Sequence, residues 1–174
     1  KQEPLLPDLS NMAISSRGEL KDIKVSNTAT TNVSVQIYSQ NVREVMKVYD
    51  DPKAINEMIL TLGVIEKGET QNVEKLNQIT AKHRGAAQGL LAIEVPKGAE
   101  KIHLNLINGL VRMTELSYLM SQVVSEPALA LGAIERYDEN LKFLLAQINN
   151  FNIYLTGNGI KFAKDQTLNF SLGL

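Results

Sequence analysis

One long helical seam constrains this chain more than any other feature: Ala130, Ile134, Tyr137, Leu141, Leu144, Ile148, Phe151 and Leu155 recur at alternating spacings of four and three residues. Such a stripe faces other helices, because 3.6 residues per turn bring those positions onto one side. Ser125-Glu126-Pro127 starts this helix, with Ser125 as the expected cap and Pro127 in the first turn, and Thr156-Gly157-Asn158-Gly159 stops it.

The same period predicts three further helices upstream. The first carries Val35, Tyr38, Val42, Val45 and Tyr49, behind cap candidates Asn27, Thr28, Thr30 and Thr31. Val33, Val35 and Ile37 also alternate as a strand would, so residues 32–38 are open to either reading. Helix is favoured, because a lone strand lacks a partner and the helical pattern continues to Tyr49. The second helix is expected to begin near Pro52, with Ile55, Ile59 and Leu62 as its apolar positions. Lys67-Gly68-Glu69-Thr70 interrupts it, and Thr70 or Asn72 caps a continuation bearing Leu76, Ile79, His83, Ala86, Leu90 and Ile93. The third, from about Ala99 to Val124, adds Leu104, Ile107 and Val111 to its stripe of Ile102, Leu106, Leu110, Met113, Leu116, Met120 and Val123. A face that wide suits a central helix.

These elements predict an all-α, antiparallel bundle of about four helices, the second interrupted, spanning residues 29–157. An arm of residues 1–28, rich in Pro, Ser and Asn, precedes it; a tail of residues 158–174, with Ile160, Phe162, Leu168 and Phe170, is expected to pack on the bundle.

Composition narrows the chemistry. Eighteen basic against nineteen acidic residues leave no field that would draw in nucleic acid, and the absence of Cys removes disulfides, thiolate metal sites and thiol catalysis. The richest apolar stretch, Leu104 to Val124, is broken by Asn105, Asn108, Arg112, Glu115 and Gln122, so it does not read as a membrane span. Residue 1 is Lys, which fits a numbering that starts inside a longer product.

Glu100 and His103 form an E-x-x-H pair, the half-motif of di-iron bundles, but no second pair accompanies it, so no metal or cofactor is expected. His83 falls on an apolar stripe and reads as a core or boundary residue. Speculative ligand or partner contacts are His103, Asn105, Asn108 and Tyr137, because amides, an imidazole and a phenol inside a bundle can hold a small polar ligand; Asn149 and Asn150 extend the amide cluster. Asp138 and Lys142 form an i,i+4 pair on a solvated face. No catalytic triad or phosphate-cradling Gly loop can be assembled, and no enzyme is expected.

The wording of several segments resembles a group of uncharacterised helical proteins of small-genome candidate-phyla bacteria. The matching pieces are Val95-Pro96, His103-Leu104, Leu106 to Leu110, Glu126 to Ala130, Ile148 to Phe151 and Gly159-Ile160-Lys161-Phe162. The resemblance covers roughly residues 30 to 165 and implies an extracytoplasmic, envelope-associated protein, with any membrane attachment through an anchor that this sequence does not display. The expected role is a non-enzymatic structural or protein-interaction module; the alternative is a solute-sensing or ligand-binding bundle. An open apolar groove would favour a protein partner, and a closed polar cavity among Asn105, Asn108 and Tyr137 would favour sensing.

Overall fold

A computed structural model describes residues 19–51 and 53–161, so most of the N-terminal arm, Pro52 and tail residues 162–174, with Phe162, Leu168 and Phe170, lie outside the described residues. The fold is all-α with one minor addition. Its helices are α1 (Asn32–Met46), α2 (Glu57–Lys67), α3 (Asn72–Leu91), α4 (Glu100–Ser121) and α5 (Pro127–Gly157).

The expected break becomes a complete separation of α2 from α3, so five α-helices stand among the described residues where about four were expected. Gly68 takes φ 68°, a left-handed conformation that side chains disfavour, and its N–H closes back on the Gly63 and Val64 carbonyls. Residues 32–38 are helical: Thr31 caps α1 by accepting from Ser34 N, and Ser34 Oγ accepts from Thr31 N.

α5 follows the sequence seam. Ala130, Tyr137, Leu141, Leu144, Ile148, Phe151 and Leu155 are buried along its 31 residues, and Ile134 is half-buried. Glu126 rather than Ser125 occupies the capping position, without a side-chain cap, while Pro127 sits in the first turn as expected. α4 lies between α3 and α5, burying Leu106, Leu110 and Met113 on one arc and Ile107, Val111 and Thr114 on the next. Gly109 lets α4 and α5 approach: a Cβ there would stand 2.8 Å from Leu144 Cδ1.

Two departures matter. The arm contributes a strand that periodicity did not suggest, β1 (Lys24–Val25), pairing in parallel with β2 (Glu94–Val95) and burying Ile23 beneath it. Two-residue strands are too short to leave a pattern in sequence. More consequentially, α2 begins at Glu57 rather than near Pro52, because the Asn56 side chain caps it by accepting from Met58 N. It is also rolled. Glu57, Leu60, Thr61 and Val64 face inward, whereas Ile55 and Ile59, expected as apolar packing positions, are 44% and 59% exposed, and Leu62 is 36% exposed.

Leu144 is fully buried at the α4–α5 crossing. Replacing it by Ala is expected to cost roughly 2–5 kcal/mol in urea unfolding. A loss within about 0.5 kcal/mol would show that the crossing is not the packed centre of the fold.

Candidate functional site

The roll of α2 is set by one carboxylate. Glu57 occupies the first turn, where the helix dipole favours negative charge, and its side chain points inward with only 3% of its surface exposed. Such a group is costly to bury unless every oxygen finds a donor. His83 Nε2 of α3 donates to Oε1 at 2.8 Å, Ser117 Oγ of α4 donates to the same oxygen at 3.3 Å, and the Tyr137 hydroxyl of α5 donates to Oε2. His83 Nδ1 meets the Tyr49 hydroxyl at 2.9 Å, with the two rings stacked.

Burial favours the neutral acid, but the hydrogen bond and charge of His83, joined by the Tyr137 hydroxyl, outweigh it and hold the Glu57 carboxyl below its usual range. Burial first, then the Glu57 charge, pushes the Tyr49 and Tyr137 hydroxyls up, so both stay protonated. Breaking one member of such a set typically costs about 3–5 kcal/mol, because the remainder stays buried without a partner.

A second buried pair lies elsewhere. His103 Nε2 donates to the Leu90 carbonyl at 2.9 Å, which fixes the tautomer and leaves Nδ1 to accept the Tyr38 hydroxyl at 3.0 Å. Desolvation lowers this imidazole to about 4. Glu100 turns away from it and accepts the Gly98 N–H at 2.7 Å, so the E-x-x-H pair is divided between a turn and the core. Among the described residues no three His, Asp or Glu side chains converge as metal ligands.

The four residues singled out in sequence do not form one site. His103 belongs to the Tyr38 pair, Tyr137 to the Glu57 network, and Asn105 donates to Gln147 Oε1 at 3.1 Å across the α4–α5 contact, joined there by Asn150. Asn108 is half-buried on α4, and Asn149 is exposed. None of them lines the cavity of about 310 Å³ that opens above Glu57 and His83.

That cavity lies between the segment leading into α2 and the first half of α3. Tyr49, Glu57 and His83 form its floor, Ile55, Leu60 and Ile79 its apolar walls, and Lys53, Lys75 and Lys82 its cationic lining. A trough of about 370 Å³ continues from it along α2, past Ile59 and Leu62. Sequence reasoning missed Glu57, Tyr49 and Ser117. The available signal was a second α2 face, Glu57, Leu60, Thr61 and Val64, with the same i, i+3, i+4, i+7 spacing as an apolar stripe.

No known protein family, curated protein or solved structure shows a significant match to this chain. Among the described residues no helix is long and apolar enough to cross a membrane.

The two buried networks give the fold an acid limit. An unfolded His103 takes up a proton near pH 6.5 while the folded ring resists until about 4, so acid favours the unfolded chain across that interval. Stability should fall by roughly 3 kcal/mol between pH 7 and 4, and Glu57 adds a further loss below about 4.5. Urea midpoints measured across this range check it; a flat profile down to pH 4.5 would contradict the buried neutral imidazole.

Proposed function

We propose that this chain is a non-enzymatic interaction module, in which an antiparallel bundle presents α2 to a protein partner. The observation that carries this reading is the outward stripe of Ile55, Ile59, Leu62 and Ile65, the last 42% exposed. Ile59, Leu62 and Ile65 recur every three residues on α2, Ile55 precedes them in the segment before the Asn56 cap, and the trough bordered by Ile55, Ile59 and Leu62 gives a partner side chain somewhere to enter. A short helix that turns Ile59, Leu62 and Ile65 toward water and its carboxylate to the core gathers exposed apolar side chains on one element, the usual mark of an interface.

The occupant we favour is an amphipathic helix with acidic flanks. Lys53, Lys67 and Lys75 border the stripe and form no ion pair among the described residues, so they are available to carboxylates on a partner. The non-enzymatic part of this reading rests on the sequence, in which no catalytic triad or phosphate-cradling Gly loop can be assembled. The cell envelope is proposed as its location on the sequence resemblance alone. A ligand-binding role is the second reading, favoured by the cavity above His83.

An Ile59→Asp substitution should leave unfolding free energy within about 0.5 kcal/mol, since most of the side chain is already in water and the first turn of a helix favours an acidic residue. A photo-crosslinker at position 59, introduced in the native host, should give one discrete adduct to an acid-flanked helical protein, identified by mass spectrometry; the same probe at exposed Arg136 should give none. An adduct of two copies of this chain would assign the stripe to self-association, and no adduct at position 59 would overturn the proposal.

A further inference from the structure

The cavity above His83 shares Ile55, Lys53 and Lys75 with the proposed interaction surface, but adds Lys82 and a buried floor of Tyr49, Glu57 and His83 that a partner helix does not require. Lys53, Lys75 and Lys82 all line one space of about 310 Å³, and none of the three forms an ion pair among the described residues. Two carboxylates face them. Asp51 Oδ1 accepts the Lys53 backbone N–H at 2.9 Å, and Glu57 is already satisfied by His83, Ser117 and Tyr137. Lys82 Nζ stands 6.0 Å from the centre of the Tyr49 ring, at the outer reach of a cation–π contact. The walls are apolar, and the volume lies at the small end of the roughly 300–1,000 Å³ of ligand pockets.

We propose that this cavity binds a small organic anion, its carboxylate or phosphate held by Lys53, Lys75 and Lys82 and its apolar body laid against Ile55, Leu60 and Ile79. Three cations gathered around one concave space, against the carboxylates of Asp51 and the already paired Glu57, attract an anion more strongly than the same cations scattered over the surface. The apolar walls then select an anion with a hydrocarbon portion over a bare ion. The buried network beneath supplies rigidity: Tyr49 and His83 are fixed by each other and by Glu57, so the floor is formed before the ligand arrives.

Titration of the full chain with benzoate, phenyl phosphate, inorganic phosphate and neutral benzyl alcohol, followed by amide NMR shifts, tests this. Benzoate or phenyl phosphate should bind saturably and shift Ile79 and Lys82, with inorganic phosphate and benzyl alcohol each at least tenfold weaker. The exposed substitution Lys75→Gln combined with Lys82→Gln should weaken binding at least tenfold at unchanged melting temperature, while Lys142→Gln should not. Absence of saturable shifts up to 10 mM, on the order of the weakest affinities worth calling binding, would overturn the proposal. So would equal binding of benzyl alcohol, equal binding of inorganic phosphate, or binding indifferent to Lys75 and Lys82.

Discussion

The Glu57 carboxylate ties together more of this fold than any other single group. Its donors come from α3, α4 and α5, so one side chain of an 11-residue helix is anchored to three longer ones. An isolated helix of that length is marginal in water, and its stability must come from what it packs on. Here part of that anchoring is polar and directional. Hydrophobic contact would accept several rotations of a helix this rich in Ile, Leu and Val; hydrogen bonds from His83, Ser117 and Tyr137 accept one.

That choice of rotation has two consequences on the same side of the molecule. It leaves Ile59, Leu62 and Ile65 36–59% exposed, so much of their apolar surface stays in water in the monomer, and it draws His83 and Tyr49 into a rigid floor beneath a lysine-lined cavity. Local conflicts between pattern and structure are expected where function competes with stability, and α2 is where this chain shows one. The α3–α4–α5 body obeys its sequence pattern and supplies the scaffold.

The contrast between α5 and α2 explains what could be read from sequence. α5 offers one apolar stripe over 31 residues, about 46 Å, so a single rotation buries Leu141, Leu144, Ile148 and Phe151 together. α4 was equally readable, since its widened face announced two neighbours. α2 carries Met58, Ile59, Leu60, Leu62, Val64 and Ile65 around most of its circumference, so two faces compete. What decides between them lies 26, 60 and 80 residues downstream of Glu57, beyond the reach of any local pattern. The same distance hid the site: His83 was legible as a buried residue on its stripe, but its partners Glu57 and Tyr49 became visible only once the helices were placed. His103 was legible as an unmatched half of an E-x-x-H pair and a speculative contact; its Tyr38 partner lies 65 residues upstream and left no local signal.

The rotation of α2 can be read directly from two adjacent positions. The chain contains no Cys, so Ile59→Cys and Leu60→Cys each create a single thiol to follow by maleimide labelling. With Glu57 buried, the thiol at position 59 should react at nearly the rate of the unfolded chain, and that at position 60, where the native side chain is 3% exposed, should be slowed by about 100-fold or more. Faster labelling at position 60 than at 59 would mean that α2 packs through its isoleucines, and that the buried Glu57 network does not set the face this protein presents.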